Sequence, residues 1–192
     1  MELAPMFVEQ RWNILQQLSK KSLSPLQLAG MTKTTIANMS QQLRLLEAAN
    51  LVKKERVPNR DKGQPRTLFS LNDDYAYIVS LMDEFAEKKL IKLSGSQKNL
   101  MKILSIEDDE LREKIQDIYF SLYGYFGKID SFAMDLSSKP SILVVCSDAE
   151  TRKKIEKTDG VKIVTEQKMK EQVKNNGGRA VQLDTPRPVL KG

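Results

Sequence analysis

The sequence predicts a mainly α protein in three parts. Residues 1–72 hold three helices and a β-hairpin, residues 73–137 long helices, and residues 138–192 a small α/β unit. Three observations carry this reading. Apolar residues recur at intervals of three and four from Met6 to Ser19, the period of an amphipathic helix, and a further apolar stripe lies on Tyr75 to Phe85. A stripe with a 3.5-residue repeat runs from Leu111 to Leu136. After Ser137-Ser138-Lys139-Pro140 the pattern changes to short β-branched runs alternating with polar helical segments, the order of an α/β unit.

From Met6 to Ser19, the residues Phe7, Val8, Trp12, Ile14, Leu15 and Leu18 mark one apolar face, which places the first helix there. Ser24-Pro25 reads as an N-cap followed by proline at the first helical position, opening a short helix that Gly30 lets end. A third helix is capped by Thr32 or Thr35; Met39, Leu43 and Leu46 form its inner face, and Asn50 suits the left-handed position that closes it. Its outer face carries Lys33, Thr34, Asn38, Gln41, Gln42 and Arg44. Amide and guanidinium groups of this kind make paired hydrogen bonds to base edges in a major groove, and a solvated helix surface is the plainer reading of the same residues. Leu51-Val52 begins an extended run through Val57, residues 58–65 are turn-rich, and Thr67 to Leu71 alternates as a strand. That is a hairpin with a basic tip.

Charge singles out the same segment. Residues 1–70 contain 11 Lys+Arg and 5 Asp+Glu, whereas residues 71–192 contain 20 of each, so the whole net charge of +6 lies in the first third. A local cationic excess is what a phosphate-binding face needs.

Three helices, the last two joined by a short turn and followed by a hairpin, make a winged helix-turn-helix. The stretch LSPLQLAGMTKTTIANMSQQLRLLEAANLVKKE, Leu23 to Glu55, resembles the helix-turn-helix of ArsR-like prokaryotic transcription regulators, including archaeal ones. Matching elements are Leu23-Ser24, Leu28-Ala29, the threonine cap, Leu43 with Leu46, and Glu47 to Val52, with Asn50 where the family often has glycine. KGQPRTLFSLN, Lys62 to Asn72, is similar to the family's wing and returning strand. The resemblance covers about residues 8–72 and implies a homodimeric regulator bound to double-stranded DNA. It also implies a recognition helix presenting Lys33, Thr34, Thr35, Asn38, Gln41, Gln42 and Arg44, and a wing laying Arg56, Arg60, Lys62 and Arg66 along the backbone or minor groove. A winged helix that holds another protein instead of DNA is the alternative. Metal-sensing members bind their inducing ion through cysteine, histidine and carboxylates; this chain has no histidine, and Cys146 lies outside the winged helix, so no metal or other cofactor is expected.

Asp73-Asp74 opens an expected helix whose stripe is Tyr75, Ile78, Leu81, Met82 and Phe85. A helix at this place pairs two subunits in the resembled family, which makes Ile78, Met82 and Phe85 dimerisation candidates. Ser96 and Ser105 look like further caps, and Glu107 to Glu110 suit a helix N-terminus. The 3.5 repeat of Leu111, Ile115, Ile118, Leu122, Tyr125, Ile129, Phe132 and Leu136 reads as a second dimerisation element, with Ile115, Leu122 and Ile129 on its seam. An intramolecular core helix is its rival. Gly124 and Gly127 fall mid-pattern and allow either close helix approach or a break into two pieces.

In the last third, Ile142 to Cys146 reads as a buried strand, Ser147 as a cap with Glu150 three residues on, Asp159-Gly160 as a turn, Val161 to Val164 as a strand, Thr165 as the next cap, and Ala180 to Leu183 as a third strand. The economical arrangement is a short parallel sheet. Ligands of such sheets bind beyond the strands' carboxyl ends, here Ser147-Asp148 and Thr165-Glu166, so an effector is expected at this unit, its identity open. No phosphate-cradling glycine motif is present, Cys146 reads as buried and inert, and the tail from Asp184 as extended. Without histidine neither a Ser-His-Asp nor a Cys-His unit can be assembled, and no enzyme is expected. The polar residues among the first 20 speak against a signal peptide or membrane span, so the expected location is cytoplasmic.

Overall fold

A computed structural model describes residues 4–58, 66–175 and 180–185. The chain divides into two compact units, residues 1–92 and 93–192, each with its own core.

The first unit begins with a 3₁₀ turn, Ala4–Phe7, followed by α1 (Glu9–Leu18), α2 (Pro25–Met31) and α3 (Ile36–Ala48). Two antiparallel hairpins complete it: β1 (Val52–Val57) with β2 (Arg66–Leu71), and β3 (Tyr75–Met82) with β4 (Phe85–Lys92). Ile14, Leu28, Met39, Leu43 and Leu46 are fully buried at the centre of the helices, and Val52 and Phe69 close the core from the first hairpin. A bridge between Leu23 and Phe69 ties the segment before α2 to β2.

The expected helix after Asp73 is a strand. Tyr75, Tyr77, Ile78 and Val79 are aromatic or β-branched and favour the pleated conformation, and a short run apolar on two faces fits either period. Pairing with β4 decides between them: eight residue pairs run from Tyr75↔Lys92 to Met82↔Phe85 around Asp83-Glu84, with Glu84 at φ 57°. Ile78, Met82 and Phe85 therefore belong to a hairpin rather than a dimerisation helix.

The second unit contains α4 (Gly95–Leu104), α5 (Asp109–Ser121), a 3₁₀ turn (Tyr123–Lys128), β5 (Ser131–Asp135), β6 (Ser141–Val145), α6 (Ala149–Ile155), β7 (Val161–Ile163), α7 (Glu166–Asn175) and β8 (Ala180–Leu183). The strands form one sheet in the order β7-β6-β5-β8. Only β6 and β7 are parallel; β5 is antiparallel to both β6 and β8. The sheet is thus mixed rather than parallel, because a strand the repeat had assigned to a helix occupies its middle. One face carries Phe132, Met134, Ile142 and Val144 against α4, α5 and Ile155 of α6. The other sets Ala133 and Leu143 against Met169 of α7.

The stripe from Leu111 to Leu136 accordingly spans a helix, a 3₁₀ turn and a strand. Tyr123-Gly124-Tyr125-Phe126-Gly127 is poor in helix formers, and the glycines break the helix. Ile115 and Leu122 have no exposed surface and Ile129 is 4% exposed, all inside one chain's core. They offer no surface to a second subunit. With eight strands in three sheets among the described residues, the protein is not mainly α, and it has no long central dimerisation helices.

Several caps also move. Ser94 precedes α4 and its N–H donates to Gln97 Oε1 at 2.8 Å, while Ser105 lies at the helix's other end, its hydroxyl donating to Met101 O. Asp108 caps α5, and Asp148, not Ser147, caps α6 by accepting from Thr151 N at 2.9 Å. Residues 176–179 and most of the tail lie outside the described residues. No helix of the described residues is long and apolar enough to cross a membrane.

Candidate nucleic-acid interface

The helical pair is built by local signals. Ser24 and Gln27 form a reciprocal box: Gln27 N–H donates to Ser24 Oγ at 3.3 Å and Ser24 N–H to Gln27 Oε1 at 2.9 Å. Thr32 N–H still bonds Leu28 O, Lys33 then takes φ 52°, and Thr34 N–H returns to Ala29 O at 3.0 Å. This left-handed residue reverses the chain in three positions. Thr35 opens α3 by accepting from Asn38 N. At the far end Asn50 has φ 60°, with Leu51 N–H on Leu46 O and Asn50 N–H on Glu47 O, the two bonds of a Schellman closure.

These constraints sort the residues of α3. Met39, Leu43 and Leu46 are buried, so the opposite side of a 3.6-residue helix is that of Ala37, Gln41 and Arg44, and all three are exposed. Lys33 and Thr35 are exposed just before it. Asn38 and Gln42 are half-buried on the flank toward α1, and their side chains are already bonded. Arg11 donates to Gln42 Oε1 at 2.8 Å, Gln42 Nε2 to Asn38 Oδ1 at 3.3 Å, and Asn38 Nδ2 to Thr34 Oγ1 at 2.9 Å. The chain of bonds fixes both amides and locks the start of α3 to α1. Sequence reasoning missed Arg11. Nothing in the spacing of α1 marks it, because its partner is 31 residues away.

The wing's register separates its arginines. Arg56 lies opposite Thr67 and Arg66 opposite Val57, so the two arginines point to opposite faces of the ribbon. Arg56 shares its face with Lys54, Phe69 and buried Val52. Lys54 on that face reaches Glu47 of α3 at 2.9 Å, so Arg56 stands on the α3 side. Arg60 and Lys62 lie outside the described residues.

Residues 9–54 match the family model described as bacterial regulatory protein, arsR family. This segment is an ArsR-like helix-turn-helix. It runs from the start of α1 to the first residues of β1, well under half of the chain. A comparison with curated proteins finds no match. The ArsR-like segment supports a DNA-binding transcription regulator and includes the whole of α3 with its exposed Gln41 and Arg44.

Beyond the ArsR-like segment, the expected effector positions serve the fold. Ser147 N–H and hydroxyl both donate to Asp130 Oδ2 at 2.6 Å, and Thr165 caps α7 by accepting from Lys168 N. Asp148 is held below the usual carboxylate range by its bonds from Thr151 and then by Lys128. Cys146 is buried, its thiol donating to Lys128 O at 3.3 Å. Burial pushes the Tyr119 phenol up, partly offset by Asn99.

Proposed function

We propose that this protein is a homodimeric, sequence-specific DNA-binding transcription regulator in which α3 enters the major groove and the wing follows the backbone or minor groove. The observation that carries the reading is the exposed outer side of α3, with Gln41 and Arg44 clear of the core and Lys33 and Thr35 at its start, inside the segment that matches the arsR-family model. Gln41 and Arg44 are assigned to base edges, Lys33, Thr34, Thr35 and Arg56 to phosphates, and Arg60 and Lys62 to the wing tip. Asn38 and Gln42 are positioning residues, their amides holding α3 on α1. Residues 93–192 receive the effector signal.

The test is anisotropy titration of the full chain against fragments selected from the source genome. Arg44→Ala and Gln41→Ala each weaken binding to the selected site by about 1–3 kcal/mol, or roughly 5- to 150-fold, with little change on random DNA. Arg56→Ala weakens both and lowers the salt slope by about one, whereas Arg66→Ala, on the opposite face of the ribbon, does less. Unchanged affinity in Gln41→Ala and Arg44→Ala together, or no retention on DNA at low salt beside a nuclease-resistant stoichiometric partner protein, overturns the reading.

A further inference from the structure

The hairpin of β3 and β4 lies outside the matched segment. Among the described residues it is a two-stranded sheet to which no other strand pairs. Such a hairpin is marginal by itself and needs a face to pack on. Its base has one: Tyr75 and Leu90 pack on the first unit's core, and Tyr77 stacks on Phe7 with ring centroids 4.9 Å apart. Its distal half does not. Val79 is 60% exposed, Leu81 80% and Met82 64%. Because successive residues alternate, Val79 and Leu81 lie on one face and Met82 on the other, so both faces of the tip are apolar and uncovered.

The two edges differ in chemistry. β4 carries Glu87, Lys88, Lys89 and Lys92, the kind of charge that keeps an edge strand from pairing with another chain. β3, Tyr-Ala-Tyr-Ile-Val-Ser-Leu-Met, has neither a charge nor a proline in eight residues. Alternate residues of an antiparallel strand direct their N–H and C=O away from the partner, so half of β3 presents these groups along an edge without a guard.

We propose that the free edge of β3 pairs with β3 of a second copy of this chain, antiparallel across a two-fold axis, giving a continuous four-stranded sheet β4-β3-β3-β4 across the dimer. A two-fold contact sets the same patch against itself. Here that places an uncharged strand opposite an uncharged strand, joins the exposed Val79 and Leu81 of both copies into one apolar surface, and leaves every lysine of β4 on the outer edges. A strand bearing lysine in the middle would meet its own charge on the axis; β3 meets none. The inference rests on the homodimer reading and supplies the interface that α5, whose stripe is buried in its own core, does not.

The experiment is sedimentation of the full chain at micromolar concentration, with circular dichroism to confirm folding. The wild type sediments as a dimer. Val79→Lys and Val79→Glu, at a position the monomer leaves exposed, each weaken self-association about ten-fold or more. Mixing the two variants restores a dimer, because opposite charges then face each other near the axis. Leu81→Lys repeats the first result at a second site. A monomeric wild type, variants as dimeric as the wild type, or a mixture that stays monomeric overturns the pairing. DNA titration of the same samples separates the two readings. A dimeric wild type that the variants dissociate but that binds no DNA removes the DNA assignment and keeps the interface. A monomeric wild type that binds DNA does the reverse.

Discussion

Gly160 turns the chain from the end of α6 into β7, and its replacement by alanine tests how the second unit is packed. Its φ of +77° is one that side-chain-bearing residues reach at a cost of about 1–2 kcal/mol. A Cβ there would lie 2.3 Å from Cδ1 and 2.8 Å from Cγ1 of Ile118. Ile118 is 7% exposed and belongs to the second unit's core, so its side chain must shift within that core to admit the Cβ. Overpacking of this kind costs a further ~1–3 kcal/mol. Gly160→Ala is therefore expected to destabilise the unit by about 2–5 kcal/mol, a fall in Tm on the order of 10–30 °C for a unit of this size. The assay is calorimetry of the full chain with denaturant unfolding by circular dichroism; Trp12, on α1, reports the first unit separately by fluorescence. Ile118→Val, which deletes the clashing Cδ1, costs ~0.5–1.5 kcal/mol alone and recovers part of the loss when combined with Gly160→Ala. A Gly160→Ala protein within 0.5 kcal/mol of wild type would refute the packing of α5 against this turn. A strictly additive double variant would remove the steric part and leave only the cost of the backbone.

Two further outcomes test local chemistry. Asp148 has a folded pKa below its unfolded value, so its contribution to stability is complete above about pH 4 and is lost as pH falls through the lowered value. Asp148→Asn is expected to lower Tm at neutral pH, with the gap to wild type closing in acid; a gap that persists unchanged in strong acid would show that the charge plays no part. Asn50 holds φ 60° and its carbonyl and side-chain oxygens accept from Asn72 Nδ2 at 3.2 and 2.9 Å. Asn50→Ala should cost about 1–2 kcal/mol in thermal or urea unfolding, and Asn50→Gly should recover the conformational part. Equal losses in both would place the effect in the hydrogen bonds alone.

The first unit's helices and wing were legible because their signals are local. Ser24-Pro25, the threonine before α3, the inner triad Met39, Leu43 and Leu46, and Asn50 each act within a few residues, and each occupies the expected place. The outer face of α3 could be read from the same triad. Its division could not: that Asn38 and Gln42 are engaged while Gln41 and Arg44 are clear depends on Arg11, held against them by the packing of α1. The errors in helix and strand assignment share one cause. Tyr75 to Met82 and Phe132 to Leu136 are short apolar stretches that satisfy a helical stripe and a two-sided strand alike, and the choice is made by the strands they pair with: β4 for the first, β6 and β8 for the second.

What the sequence determined by itself is therefore what short-range chemistry dictates: the caps and turn around α2 and α3, the basic first third and the helix-turn-helix that the family match bears out. Only the tertiary structure decided whether the 3.5 repeat was a seam between chains or a sheet's core, and whether the chain after Asn72 coiled or paired. A backbone hydrogen bond in a strand is made with another strand, so its pattern is not written in the strand itself. In a helix the donor and acceptor are four residues apart.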